Sequence, residues 1–356
     1  MNNQPTVVIS ILHIPHLNFF INLIKILEKK GIETIVIIRP RGRLLDVFKS
    51  ELPHTEYILI GQHKSSFIGK IWDIIYRDIA LCKLLKKMNF SVAISCGDHC
   101  LTHATRILSK PSISFSDDLL EYKMGYYLFK YTCEKIVIPD SIPITRSNVF
   151  KYKGSKQLSY LHPNYFNPKR KVLSEYSINE NKYVFMREIK TNTLNYNHLK
   201  SGISLELCKK IRNKGYSIIL SLEDKSKKRA FSEYCTVLEE PVSDIFSLMY
   251  FSAFSICSGD SVARECSFLG VPTIYLGGRK MFILQEMYDK KLMFNSTSDD
   301  ETMKLIDYII NNNVKSQTRL SVKSFIENEW HDTTNVAFDF VMSEINKDNS
   351  YISSYI

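Results

Sequence analysis

Residues 257–278 read CSGDSVARECSFLGVPTIYLGG. The run AFSIC just before it is short, apolar and β-forming. Ser258-Gly259 interrupts that run, SVARECSFLG then has helical composition, and Gly270 and Pro272 stop it ahead of TIYL. Strand, glycine turn, helix, glycine stop and strand make one βαβ unit of a parallel sheet. The helix is expected to take Asp260 or Ser261 as N-cap and Gly270 as C-cap. Its N-terminus offers unpaired N–H groups and the positive end of a dipole, which suits an anion. Gly259 admits a phosphate close to the backbone, and Glu265, one turn in, is spaced to accept hydrogen bonds from a ribose diol. An ordinary capped βαβ joint has the same pattern, so local chemistry leaves both readings open.

The pattern repeats on both sides of this stretch. PTVVISIL is a buried strand, and NFFINLIKILEKKGI spaces Phe20, Leu23, Ile24 and Leu27 on one helical face before Gly31. ETIVIIRP, EYILIG, SVAISC and PSISFSDD follow as strands, separated by helices at GRLLDVFKSEL, from about Ser66 to Lys87, and at HCLTHATRILSK. A second series starts with strand KYVFMRE, helix GISLELCKKIRNKG and strand YSIILSLE, and continues through the opening stretch. Strands that alternate with helices and are apolar on both faces indicate parallel sheets. The join is placed at YLHPNYFNPKRK, which gives one Rossmann-like domain over 1–160 and another over 161–356. The C-terminal helix at about 319–347 is expected to pack near the first domain. Two such halves set the carboxyl ends of their sheets facing across a central cleft.

The totals agree with a large soluble protein. The chain has 356 residues, 44% of them hydrophobic and 24% charged, a length that suits two domains with real cores. No 18-residue uncharged apolar stretch occurs, and the N-terminus lacks a basic region and a cleavage site, so neither a membrane span nor a signal peptide is expected. Eight cysteines in so long a chain do not make a disulfide framework and read as reduced thiols of a cytoplasmic protein. The formal charge of +10 suits nucleic acid, an anionic membrane face or a phosphorylated ligand. The basic residues are spread out without a recognition motif, which disfavours nucleic acid.

Ser-Gly, a Glu seven residues after the Ser, then Gly-x-Pro resembles the nucleotide-binding segment of GT-B enzymes. These include the lipid-linked N-acetylglucosaminyltransferase of peptidoglycan synthesis and the UDP-N-acetylglucosamine 2-epimerases. The resemblance implies that Ser258 and Gly259 hold a diphosphate and Glu265 a ribose. A fuller resemblance, carried by HIPHLNFF, PSISFSDD, YLHPNYFNP and SGDSVARE with LGVP, is to the domain-of-unknown-function 354 family, placed among GT-B folds. Its opening loop usually reads like His-Pro-Ala-His-Val-His-Phe-Phe. Here His13, His16, Phe19 and Phe20 match, and Asn18 stands where the last histidine would be.

His13 and His16 lie where the first strand meets the first helix. A histidine there suits a general base, since its ordinary pKa is near working pH; the alternative is one capping histidine and one solvated. Cys96, His99, Cys100 and His103 are close in sequence, but no distant partner pair completes a zinc pattern, and no metal is assigned. The 2-epimerases have a functional acid at the turn that Gly97-Asp98 resembles, and another after the next strand, where Asp117 or Asp118 stands. Paired acids there would move protons or bind sugar hydroxyls; capping and turn formation is the competing reading. At the end of KYVFMRE the epimerases carry His-Arg, whereas this chain has Met186-Arg187. Arg187 suits a diphosphate, with an interdomain salt bridge as the alternative. In the helix near 66–87, Ile71, Ile75, Ile79 and Leu85 share a side, Phe67 and Trp72 add aromatic bulk, and Lys70, Arg77, Lys83, Lys86 and Lys87 supply positive charge. That stripe reads either as core with a solvated lysine face or as a contact with an anionic membrane.

The expectation is therefore an α/β GT-B architecture of two Rossmann-like domains. It would transfer a nucleotide-activated, UDP-linked sugar to a glycan or lipid-linked acceptor in cell-surface polysaccharide assembly, without a cofactor. Ser258, Gly259, Asp260 and Ser261 with Arg187 would line the diphosphate, Glu265 would hold the ribose, and His16, with His13 second, would deprotonate the acceptor. A 2-epimerase depending on Asp98 and Asp117, and a non-catalytic nucleotide-sugar-binding protein, are the rivals.

Overall fold

A computed structural model describes residues 4–62, 66–120, 127, 130–190, 202–239, 242 and 244–355. The chain divides into two compact units, one of residues 1–165 with 330–356 and one of residues 166–329. The boundary between the units falls at 165/166, and residues 330–356 belong to the first unit.

The first unit is built on a seven-stranded parallel sheet. Its strands are β1 (Thr6–Ile11), β2 (Glu33–Ile38), β3 (Glu56–Leu59), β4 (Val92–Ser95), β5 (Ser112–Phe115), β6 (Lys135–Pro139) and β7 (Val149–Tyr152), in the order β3-β2-β1-β4-β5-β6-β7. Crossovers include α1 (Ile14–Lys29), α2 (Leu44–Glu51), α3 (Phe67–Lys86) and α4 (His99–Ile107). Every residue of β1 is buried because helices cover both faces of the sheet. The period of two shows directly: Val7, Ile9 and Ile11 join the core under α1, while Val8 joins the opposite core with Leu81, Leu85, Leu101 and Ala104 of α3 and α4. The helix Thr333–Asn346 adds Val336, Phe340 and Val341 to the first of these cores. Thr333 and Thr334 fix its start by donating to the carbonyls of Ser155 (2.9 Å) and Ser159 (2.8 Å).

The second unit carries a six-stranded parallel sheet. Its strands are β8 (Tyr183–Glu188), β9 (Ser217–Leu222), β10 (Thr236–Val237), β11 (Phe254–Cys257), β12 (Thr273–Tyr275) and β13 (Met293–Asn295), in the order β10-β9-β8-β11-β12-β13. Its core gathers alternate strand residues, Val184, Met186, Ile218, Leu220 and Ile256, against Leu207, Cys208 and Ile211 of the helix Leu205–Asn213.

Both sheets therefore have the doubly wound order, reversing between β1 and β4 in one unit and between β8 and β11 in the other. Side chains after the carboxyl ends of those neighbouring strands flank a crevice that the topology opens, and ligands of such sheets bind there. His13 and His16 follow β1, and Asp98 follows β4. Arg187 ends its run beside Cys257 in the β8–β11 register, with Ser258 and Gly259 next along the chain.

Candidate functional site

In the second unit the turn after β11 is built around its own backbone. Gly259, not Asp260 or Ser261, is the N-cap of the helix Asp260–Phe268, and no side chain caps it. Its φ of −102° is open to any residue. The need for glycine is steric, since a Cβ here would lie 2.7 Å from Ile189 Cγ2. Ser258 is buried, and its hydroxyl accepts from the Ile189 N–H (2.9 Å) and lies 3.3 Å from the Arg187 carbonyl. That hydroxyl thus ties β8 to the turn. Ser261 is exposed on the first turn, and Glu265 is largely buried one turn further on.

Asp260 is placed differently from the expected ligand contact. It is 2% exposed and paired with Arg264 at 3.2 Å and Arg279 at 3.1 Å. Two guanidiniums offset its charge, so it anchors the loop after β12 and does not repel an anion at the helix start. Arg187 is engaged inside its own unit, donating to Ser221 (2.8 Å) and to Glu223. The interdomain salt bridge considered for it is thus replaced by one across β8 and β9. Sequence reasoning passed over Arg279. From it a cavity of about 620 Å³ opens, lined also by Lys280, Phe282, Gln285, Tyr288 and Asn295. The signal was legible as Gly277-Gly278-Arg279-Lys280 at a strand end. Gly277 is required there by close approach, because a Cβ would lie 2.2 Å from the Ser258 carbonyl oxygen.

In the first unit His13 is the N-cap of α1 by backbone conformation, and its imidazole makes no capping bond. The carbonyl of His13 accepts from the N–H groups of His16 (3.0 Å) and Leu17 (3.3 Å). The two rings lie 3.7 Å apart, and the Nδ1 atom of each is buried with no hydrogen-bond partner. Burial pushes the His13 pKa down to about 3, helped by the charges of Lys156 and Arg41 and opposed by Asp117. Burial, the neighbouring His13 and Lys156 likewise hold His16 well below the ordinary value, again against Asp117. Both rings are therefore neutral at pH 7, each with a lone pair and an N–H to give.

Asp117 and Lys156 are themselves an ion pair at 2.9 Å. Asp117 is 5% exposed, whereas Asp118 is exposed and bonded to the Ser116 hydroxyl, so Asp117 is the acid that faces the histidines. Lys156 was missed because it lies far along the chain, in a stretch to which the sequence assigned no role. Asp98 does not join this group. It is 1% exposed, paired with Arg77 at 2.6 Å, accepts from Ser10 Oγ at 2.5 Å, and caps α4 through the Cys100 N–H. Burial works to raise its carboxyl, but the Arg77 charge and these hydrogen bonds prevail and hold it below the usual carboxylate range. His103 pairs with Asp78 at 2.8 Å. Among the described residues no group of three or more His, Cys, Asp or Glu side chains is arranged to hold a metal ion.

Two doubly wound parallel sheets in one chain, each with its candidate residues at the switch point, define a protein of the GT-B fold. The chain belongs to the family described as protein of unknown function DUF354, whose model matches residues 6–346. It is 23% identical over 315 residues to an uncharacterized protein of Methanocaldococcus jannaschii, covering 85% of this chain and 90% of that one. Among solved structures it is similar to the UDP-GlcNAc 2-epimerase of Neisseria meningitidis bound to UDP-GlcNAc, with a TM-score of 0.67, 15% identity and coverage of 96% and 100% of the two chains. A glycosyltransferase of Rickettsia africae has the same fold, with a TM-score of 0.62, 13% identity and coverage of 99% of each chain.

Proposed function

We propose that this protein is a cytoplasmic glycosyltransferase that uses a nucleotide-activated, UDP-linked sugar and a glycan or lipid-linked acceptor in cell-surface polysaccharide assembly. In the second unit the N–H groups of the turn at Gly259 and the Ser261 hydroxyl receive the diphosphate, and Glu265 receives the ribose. Ser258, Asp260 and Arg187 hold that turn and its neighbours in place. The uncapped N-terminus of the helix Asp260–Phe268 supports this assignment, as it presents donors to a leaving diphosphate.

The observation that carries the transferase reading is the state of the histidine pair: buried, neutral, each with an unpartnered Nδ1, beside Asp117 and Lys156. His13 is the more exposed ring and is the one assigned to the acceptor hydroxyl, with His16 packed behind it. This reverses the order expected from sequence. The base gains strength when an anionic group draws Lys156 away, because one charge that lowers both imidazoles is then removed while Asp117 still raises them. The proton moves from the acceptor oxygen to the imidazole as that oxygen bonds to the sugar carbon and the diphosphate leaves.

An epimerase acting through paired acids is less well supported. Asp98 is sealed against Arg77, and Met186 stands where the 2-epimerases carry a histidine. Incubation of the purified chain with UDP-sugars, with and without acceptor extracts, separates the two. UDP release that requires an acceptor and falls about 10²-fold or more in His13→Ala is the expected result. Conversion of the UDP-sugar without acceptor, or a rate unchanged in His13→Ala, would overturn it.

A further inference from the structure

The helix α3 is turned inside out along its first half. Its inward side carries Asp73, paired with Arg39 at 2.6 Å, and Arg77, paired with Asp98. Its apolar side faces outward: Ile68, Ile71, Trp72, Ile75, Tyr76 and Ile79 are between 43% and 69% exposed. Of the stripe read from sequence as a candidate core face, Ile71, Ile75 and Ile79 are exposed and Leu85, at its far end, is buried. The Phe67 side chain lies outside the described residues.

We propose that α3 is the surface by which this protein seats on an anionic lipid bilayer. The spacing 68, 72, 75, 79 continues in steps of three and four to Lys83 and Lys86, so both lysines extend the exposed apolar line. Lys87 follows, and all three are exposed. The two acids on α3 are committed elsewhere, Asp73 to Arg39 and Asp78 to His103. A second copy of the helix would bring only acids that are already paired, Asp73 and Asp78, and a nucleic acid backbone would not accept the isoleucines. A bilayer face supplies both requirements, acyl chains under Ile68–Ile79 and anionic headgroups at Lys83, Lys86 and Lys87. Among the described residues no helix is long and apolar enough to cross a membrane, so the contact is peripheral.

The inference is independent of the nucleotide reading and is tested on the full chain by sedimentation with vesicles. Phosphatidylcholine alone is compared with phosphatidylcholine mixed with phosphatidylglycerol, for the wild type, for Ile71→Ser/Ile75→Ser/Ile79→Ser, and for Lys83→Gln/Lys86→Gln. Binding to the anionic vesicles that is weakened about tenfold or more by each variant, and by high salt for the wild type, is expected. The exchanged residues are exposed, so the thermal midpoint should not fall, and this checks the fold. Absence of wild-type binding, or binding unchanged in the isoleucine variant, overturns the proposal. So does a wild-type dimer that sediments without lipid and dissociates in that variant.

Discussion

Asp98 and Arg77 meet at 2.6 Å, one from the turn after β4 and the other from the inward side of α3, and both are buried. This pair explains two departures from the expected chemistry. It withdraws Asp98 from proton transfer, and it leaves the apolar side of α3 to solvent. Removing one partner would leave the other charge buried, so Arg77→Met should cost about 3–5 kcal/mol of stability by urea unfolding. Arg77→Met/Asp98→Leu, which removes both charges, should recover much of it. A loss near zero in the single variant would contradict the pairing.

Acid sensitivity should arrive in two stages. His13 and His16 are held neutral in the fold, whereas the unfolded chain takes up protons below the ordinary value of 6.5. Stability therefore falls as pH drops from 6.5 toward 3. Asp98, held below its ordinary 3.8, contributes fully above that value and is lost as pH falls through its folded value. Urea midpoints measured from pH 7.5 to 4 should decline, and the decline should flatten in His13→Asn/His16→Asn. An unchanged slope would mean that the histidines are not buried neutral.

Lys156 depresses both imidazoles and Asp117 raises them. Lys156→Met should therefore move the histidine titrations upward, and Asp117→Asn should move them further down, as read by imidazole NMR shifts. The opposite signs make the pair of variants informative even where one of them loses stability.

The parallel sheets and most helices were legible because long apolar strands alternated with capped helices. The short strands β6, β7, β10 and β13 were not, since KIVIP, VFKY, TV and MFN carry no period of their own and are fixed by their neighbours in the sheet. His13, His16 and Asp117 could be proposed from their position after strands. Lys156 could not, as only the folded chain brings it to Asp117. Asp98 looked like its neighbour Asp117 in sequence, and the difference lies entirely in the arginine that meets it. The α3 stripe had the right period, but periodicity does not say which face is inside when the opposite face carries ion pairs.

Gly277→Ala tests the turn geometry. The added methyl would meet the Ser258 carbonyl, a backbone atom that cannot swing aside, so a loss of about 1–3 kcal/mol is expected in thermal or urea unfolding. Gly215→Ala is the comparison, since nothing lies within 4 Å of its Cβ position and its cost would come from its positive φ alone. A Gly277→Ala protein as stable as the wild type would show that the Ser258 turn is not held as described.

The most direct test of the nucleotide assignment is a thermal-shift comparison of the wild type and Glu265→Ala with UDP and UDP-sugars. A ligand bound only by the folded state at a hundred times its dissociation constant should add about 2.7 kcal/mol of stability. The account predicts such a shift for at least one UDP-sugar in the wild type and its loss in Glu265→Ala, with the ligand-free midpoint recorded for both. No shift in the wild type, or an equal shift in both proteins, would contradict it.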